Sequence, residues 1–584
     1  MAKKKEKKDK KKHEFLNELK ISYRLIENKK KFYLTVLVPF LFLGLLLFAL
    51  PFLLPILLPV PISFHPATFI IGGIVPILLG IFYPYITFKN KETEIDSNMH
   101  FFITHLRVLA ISDLSLKDIL NVLGGKKVYQ SLGEEIKKVS ILSTQWRYPM
   151  ASTLHFIALR TPSKILKDFL DRFSQSLDSG VEHREFVETE QEAVMQDYKT
   201  MYETSNENIV ILNEVYVSML IAIIFVMSFG IVLPIIMGAE SMTTYTYLSS
   251  FMLIVAEGLL LYLLKSIIPE DHIWHQSGEK SELQKKMTRW LTNTILFSIV
   301  IGSGFLYAHF SLNLPFITNI PIETLIAISL TPLLFVGVKT IIEEENIARK
   351  EKNFLGFLTG LGSIATMKGG KVTESVYYLS RKDYGVLSKY IRSLYRRLRT
   401  RIDDDAAWQW FGVDTNSNFI QRSSEMFREA TYAAANPTKV TKMIAENMRK
   451  ILDLRKKKFS IVNTSIALFG GITFGISFSI YVSLVISRHL NNIVLETGDP
   501  FSQLEGINIG TLLYTVPPET YDFIVLIIFL VLIIHSFILS YTIKVIRGSH
   551  SYLTFLYFIP FVWIIALTSW AVDIFIRGML TGAP

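Results

Sequence analysis

Cysteine is absent from the 584-residue chain, which excludes disulfides, Cys-ligated zinc, iron–sulfur clusters and thiol catalysis. Charge is scarce too: Asp, Glu, Lys and Arg make up 19% of residues, where soluble domains average about 25%. With 50% hydrophobic and 12% aromatic residues and a mean hydropathy of +0.35, the composition excludes a disordered chain, a coiled coil and an ordinary cytosolic enzyme. Motifs for chemistry are missing as well. Ala365 precedes Gly370-Lys371 and Leu120 precedes Gly125-Lys126, where a phosphate-binding loop needs glycine. No His-Glu-x-x-His occurs. Gly302-Ser303-Gly304 lacks the preceding glycine of an intramembrane serine protease, and no Gly-x-Gly-Asp marks an aspartyl one. A non-enzyme without a cofactor of its own is expected.

Long apolar runs dominate instead. About 20 apolar residues cross a bilayer as a helix, and nine segments qualify: 32–58, 67–88, 212–238, 245–268, 291–312, 322–342, 460–486, 522–545 and 552–575. The first is too long and too far from the start for a cleaved signal peptide, and Pro51, Pro55, Pro59 and Pro61 bend or end it. The basic residues then sort to one side. Thirteen fall in 1–31, fifteen in 89–208, four in 270–290 and twenty-three in 343–459, whereas only Arg488 and Arg577 fall outside. The expected topology is a multi-pass protein of the cytoplasmic membrane with its N-terminus inside and its C-terminus outside. Its parts are a basic tail (1–31), two spans (32–88), a cytoplasmic domain (89–208) and four spans with an inner loop at 270–290 (209–342). A second cytoplasmic domain (343–459) follows, then three spans with an outer loop at 487–521 (460–584).

The two cytoplasmic domains repeat one plan. Phe102-Ile103-Thr104-x-Leu106-x-x-Leu109-Ala110 returns as Phe357-Leu358-Thr359-x-Leu361-x-x-Ile364-Ala365, and Phe169-x-x-Arg172-x-Ser174 returns as Phe419-x-x-Arg422-x-Ser424. Both copies read as all-helical, with no sustained alternation for a sheet. Thr161-Pro162 predicts a helix start with Pro at its first position, Gly180 a stop, and Asn436-Pro437 another start before Val440, Ile444, Met448 and Ile451. The first copy has 15 basic and 18 acidic residues, the second 23 and 14. One frame with two charge signs suggests two contact surfaces.

The segment Leu387–Thr400 concentrates that charge. Leu387, Ile391, Leu394 and Leu398 predict one apolar stripe, and Lys389, Arg392, Arg396 and Arg399 another face, with Arg397 and Arg401 beside it. An acidic protein partner, anionic lipid and plain solvent all fit such a face. Nucleic acid is not expected, because Tyr390, Tyr395, Trp408 and Trp410 show no stacking pattern. Eight lysines between Lys3 and Lys12, and Arg455-Lys456-Lys457-Lys458 before the seventh span, suit the lipid bilayer surface and enforce topology. Within the bilayer, Glu257 and His535 stand out, either as a proton path or as polar groups joining helices. Gly471-x-x-x-Gly475 permits close helix packing within or between chains. His272 and His275 beside Glu270 and Asp271 form a loop that could hold a metal or simply be a solvated turn.

Ala158-Leu159-Arg160-Thr161-Pro162-Ser163, then Phe169-Leu170-Asp171-Arg172, Gly180, Phe186 and Glu188-x-Glu190, resemble the F-domain family of type II secretion. This is the family of membrane platforms beneath type IV pili, secretion machines and archaella. Two such domains with about nine spans resemble the archaellum platforms, over roughly 90–580. In that alignment the second copy lacks Thr-Pro-Ser and carries Phe419-Ile420-Gln421-Arg422 for Phe-Leu-Asp-Arg. The resemblance implies an archaeal cell-membrane platform that hydrolyses no ATP itself. A cytosolic hexameric ATPase would work on its inner face to add prepilin-like filament subunits and turn the filament, and a homodimeric platform is compatible with a sixfold motor. A pilus or secretion platform, and in another class a secondary transporter, are the alternatives.

Overall fold

Serine, asparagine, proline and glycine punctuate the apolar periodicity, and helices begin and end there. The computed structural model describes residues 22–23, 32–42, 44–45, 48, 66–233, 239–311, 320–400, 403–497 and 516–581. The lysine-rich tail, the four prolines after Leu50, the outer loop over 498–515 and Arg401 lie outside these residues. Among the described residues the regular structure is helical apart from one isolated bridge, Trp274 to Ser417. In chain order the helices are α1 (Pro66–Ala110), α2 (Leu116–Gly124), α3 (Gln130–Thr144), α4 (Met150–Ala158), α5 (Lys164–Asp178) and α6 (His183–Val232). They continue as α7 (Ala239–Ile267), α8 (Glu282–Phe310), α9 (Ile322–Leu330), α10 (Leu334–Met367), α11 (Val372–Ser380) and α12 (Ser388–Thr400). The last are α13 (Asp404–Thr415), α14 (Asn418–Tyr432), α15 (Pro437–Thr497), α16 (Pro518–Arg547) and α17 (Thr554–Thr581).

Seven stretches among the described residues are long and apolar enough to cross a membrane: α6, α7, α8, α9 with α10, α15, α16 and α17. Of the other two expected spans, 67–88 falls within α1, and 32–58 is described only at 32–42, 44–45 and 48. The domain boundaries drawn from the sequence at 88, 208, 342 and 459 fall inside α1, α6, α10 and α15. No linkers exist there. A helix that leaves the bilayer without interruption keeps its hydrogen-bond ladder closed, whereas a break would expose eight backbone groups. The 61 residues of α15 extend about 90 Å at 1.5 Å per residue.

The chain divides into two compact units, one made of 1–92, 220–255 and 483–528, the other of 93–219, 256–482 and 529–584. In the first, the Ser487 hydroxyl donates to the Ile231 carbonyl at 2.9 Å and lies 2.9 Å from the Tyr521 hydroxyl. Asn491 brackets Val516 there, donating to its carbonyl at 3.0 Å and accepting from its N–H at 2.8 Å. The second unit holds the repeat. Two separate cytoplasmic domains were expected; instead Ile95 through Tyr202 and Phe354 through Leu454 contribute to one continuous core. Phe101 of the first copy meets Phe419 of the second at 5.1 Å between ring centroids. The amphipathic short helices of each copy have a second apolar flank, and mutual burial is how it leaves water.

Element by element, α1–α6 match α10–α15, each series with a 3-10 turn (Lys127–Tyr129, Gly385–Leu387) before its third helix. The duplication read from the sequence is therefore sound, but part of its alignment slips. Ser163, not Thr161, is the N-cap of α5, and Pro162 lies outside the helix. Its hydroxyl accepts from the Leu166 N–H at 2.9 Å, as Ser417 accepts from Ile420 at 3.1 Å on α14. Thr415-Asn416-Ser417 is thus the counterpart of Thr161-Pro162-Ser163, with Asn416 at φ 60° where proline cannot go. With the caps superposed, Arg172 pairs with Met426 rather than Arg422. The sequence match had slipped by four residues, about one turn, which preserves the apolar face. Asn436 does cap α15, and Gly180 ends α5 at φ 77°.

The glycines that matter for packing were not those singled out. A Cβ on Gly471 or Gly475 would meet nothing within 4 Å, so neither serves an approach within the described chain. On Gly362 it would sit 2.8 Å from the Pro437 carbonyl oxygen, besides overlapping the Thr441 hydroxyl. α10 and α15 touch there backbone to backbone. Gly362→Ala should destabilise the chain by about 1–3 kcal/mol, lowering the thermal unfolding midpoint in detergent, while Gly475→Ala leaves that midpoint in place.

Candidate functional site

α12 behaves as its spacing demands. Leu387, Ile391, Leu394 and Leu398 are all buried in the shared core. The turn before it is locked by Asp383, which accepts from the Gly385 N–H at 2.9 Å and the Ser388 hydroxyl at 3.0 Å; Gly385 takes φ 56°, where a side chain would be strained. With one face anchored, Lys389, Arg392, Arg396 and Arg399 are left exposed, and none makes an ion pair among the described residues. Lys389 lies 4.7 Å from the Tyr390 ring, and Arg392 reaches back to the Ser388 carbonyl at 3.4 Å. Arg397 is diverted: it pairs with Asp414 at 2.8 Å and leans over Trp410. The outcome is a row of four cations on one helix face, none in an ion pair among the described residues, suited to gripping an acidic surface.

The residues singled out by family resemblance hold the first copy together instead of opening onto a site. Ser163 also donates to Asp96, Asp171 lies 2.9 Å from His155 Nδ1, and Arg172 Nε donates to Glu190 at 2.7 Å. Phe169 packs on Phe102 and Phe186. Thr161 and Pro162 are half-buried beside the cap.

Sequence reasoning missed the polar contacts between copies. Arg422 is buried, donating to Asn98 Oδ1 at 2.8 Å and the Val128 carbonyl at 3.0 Å, with its guanidinium 4.5 Å from the Phe101 ring centre. Burial pulls its pKa down to about 10. Lys126 donates to Glu425 at 2.6 Å and to Glu429, which also meets His105 Nε2 at 3.1 Å. These contacts span some three hundred residues, beyond any local periodicity. A groove of about 520 Å³ opens beside them, lined by Lys127, Gln276, Trp410 and Gln421 among others.

The loop after α7 is held from three directions. Asp271 accepts from Arg455 Nε at 2.9 Å and also from its terminal nitrogen; Arg455 reaches Glu351 at 3.1 Å; and Glu351 accepts from the Ser417 hydroxyl at 2.7 Å. Burial raises the Asp271 pKa, but Arg455 more than reverses this and holds it well below the usual carboxylate range. Asp271 is thereby committed to an arginine, and His272 and His275 turn to Glu270 and Ser277. Among the described residues no group of three ligating side chains forms there. On α10, Glu344 accepts from Trp274 Nε1 at 3.1 Å, the Ser549 hydroxyl at 2.9 Å and the His550 N–H at 3.1 Å.

Within the membrane-spanning helices Glu257 and His535 meet. His535 Nδ1 contacts Glu257 Oε1, which also accepts from the Tyr216 hydroxyl at 3.1 Å, and His535 Nε2 lies 3.3 Å from the Thr473 hydroxyl. One residue each from α6, α7, α15 and α16 forms this node, and both Glu257 and His535 are fully buried.

Comparison with known proteins agrees with this architecture. Residues 102–231, which run from the end of α1 to α6, match the family model described as type II secretion system (T2SS), protein F. The chain is 32% identical over 510 residues to flagella accessory protein J of Methanococcus voltae, covering 87% of this chain and 90% of that one. It is 31% identical over 510 residues to the protein of the same name from Methanocaldococcus jannaschii, covering 87% and 89%. The chain belongs to the flagella accessory protein J family. It is accordingly a multi-pass membrane protein of the archaellum and type IV pilus-like platform class, and the F-domain match falls on the first copy alone. No solved structure matches it. The second copy's altered charge, and Thr415-Asn416-Ser417 standing where the first has Thr161-Pro162-Ser163, are consistent with that one-sided match.

Two measurements check the nodes. Glu257→Ala and His535→Ala should each destabilise the chain by about 1–3 kcal/mol, and the double variant by no more than the worse single one, because each removal strands the other group. Burial raises the Glu429 pKa from 4.5, but His105 and Lys126 pull it down to about 2. A carboxylate so depressed adds stability above about pH 4.5 that disappears as pH falls toward about 2. Glu429→Gln should flatten the acid limb of the thermal-midpoint profile in that window.

Proposed function

We propose that the protein is the archaellum membrane platform that anchors filament assembly and couples a cytosolic hexameric ATPase to filament assembly and rotation. In this reading the fused body and the N-terminus face the cytoplasm, the C-terminus faces out, prepilin-like subunits are added above, and ATP is hydrolysed only by the partner. The observation that carries it is the row Lys389, Arg392, Arg396 and Arg399: exposed, without an ion pair among the described residues, and mounted on a helix whose other face is fixed in the core. An acidic rim on the ATPase is its complement. The names of the two relatives, both flagella accessory proteins, favour the archaellum over a pilus. A transporter reading gains little, because Glu257, His535, Tyr216 and Thr473 bond chiefly to one another.

Because 343–459 shares its core with 89–208, binding is to be measured on the full chain in nanodiscs. A salt titration against the archaellum and pilus ATPases of the same organism should show tight, salt-sensitive binding to the archaellum enzyme. Reversing all four charges to Glu should weaken that binding about a hundredfold or more at low salt, with the difference shrinking as salt screens it. Undiminished binding of the reversed variant would remove this face from the mechanism, and preference for the pilus enzyme would reassign the machine.

A further inference from the structure

The first turns of α8 carry a second cationic feature, at the border where the helix turns apolar. Lys285, Thr288, Arg289, Thr292 and Asn293 recur at the spacing of one helix face, and with Lys280 they line a shallow groove of about 350 Å³. All six are exposed. The same face then continues as Leu296, Ile299, Val300 and Tyr307, 57–66% exposed. Cationic and polar groups at the foot and an open apolar track above form one continuous strip.

The groove's charge is only partly answered from within. Lys285 pairs with Glu282 at 3.0 Å, whereas Lys280 and Arg289 make no ion pair among the described residues. The Asn293 amide makes no hydrogen bond there either, whereas the Thr288 and Thr292 hydroxyls donate to the Gln284 and Thr288 carbonyls at 3.0 and 3.1 Å and keep their oxygens free to accept. Trp290, next to Arg289, packs edge-on to Phe335 at 5.7 Å, an aromatic pair of the kind that marks a membrane–water border.

We propose that this groove is a binding site for one anionic phospholipid of the adjoining leaflet. Lys280, Lys285 and Arg289 neutralise its phosphate, the Asn293 amide donates to it, the Thr288 and Thr292 oxygens accept from headgroup hydroxyls, and its chains lie along Leu296, Ile299, Val300 and Tyr307. A soluble anion would use the cations but not the apolar track. A protein partner would bury the track only at membrane depth, where lipid already wets it. Bulk attraction to an anionic surface needs charge alone, so the hydroxyls, the amide and the aligned track distinguish a site from a coat.

The test uses the full chain in phosphatidylcholine vesicles carrying trace spin-labelled phosphatidylglycerol or spin-labelled phosphatidylcholine, with the immobilised fraction read by electron paramagnetic resonance. Wild type should immobilise the anionic probe preferentially. Lys280→Gln with Arg289→Gln should reduce that preference by roughly fivefold per cation, while Lys280→Arg with Arg289→Lys retains it. Lys456→Gln with Lys457→Gln, two exposed cations on α15 before the expected span, should leave it intact. Equal loss in that control pair would replace the site with surface charge and overturn the proposal. So would displacement of the probe by inorganic phosphate, which would mark a soluble-anion site, or an unchanged preference in the Gln pair.

Discussion

Three charges buried where helices leave the bilayer constrain much of the second unit: Arg455 held between Asp271 and Glu351. Taking an arginine and two carboxylates out of water is costly, and their mutual attraction offsets the cost only when geometry and further hydrogen bonds are right. Here they are. Ser417 binds Glu351 and Tyr202 donates to Asp271, so the remaining lone pairs have donors. The node adds little net stability over an apolar core of the same shape, but it severely penalises misregister. Sliding α15 by one residue along α10 would leave three buried ions unmatched. The α7–α8 loop, the start of α14 and both long helices are thereby held in one register.

That register lets the two copies differ without separating. Each supplies six helices in the same order, each closes its fifth with a serine cap, and each ends in a helix that continues into a membrane-crossing stretch. Their surfaces have diverged. The first copy pairs its charges internally, Arg172 with Glu190 and Arg107 with Glu188, and the second leaves four cations of α12 open to solvent. Fusing the cores removes the demand that each copy be stable alone, which frees the surface of one to serve a partner.

Much of this is legible in the sequence. Apolar length located the crossing stretches, 3.6-residue spacing placed both faces of α12, and Asn436-Pro437 and Gly180 marked helix ends, because those signals are local. The fused core was not legible: amphipathic helices reveal that a face is buried, not which copy covers it. Nor was the Arg455 node, since a run of Arg455-Lys456-Lys457-Lys458 looks like uniform interfacial charge until burial divides it. Lys457 pairs with Glu203 at the surface, Arg455 is buried between two acids, and burial lowers the pKa of Lys458 to about 8. The slip between Arg172 and Arg422 has a similar cause. A repeat of one helical turn keeps the apolar face, so sequence similarity alone cannot choose between two registers one turn apart.

Uninterrupted helices bear on how a signal at α12 would travel. Had flexible linkers stood at 208 or 459, motion of the fused helical body would dissipate in them, as chain entropy tolerates changes in end-to-end distance cheaply. Instead α6 and α15 run through those positions with intact backbone ladders and no internal proline. Bending a hydrogen-bonded rod requires a kink with an identifiable cause, and none lies between Pro437 and Ala467 on α15 or between His183 and Ser228 on α6. A torque applied to the core that grips α12 is then delivered to the feet of both rods together. Outside the apolar stretches Tyr202 of α6 and Arg455 of α15 both bind Asp271; within them, Tyr216, Glu257, Thr473 and His535 tie α6 and α15 to α7 and α16. Two polar nodes at different depths along the same pair of helices resist twist about the helix axes in a way one node could not, because a single tie is a pivot and two are a lever.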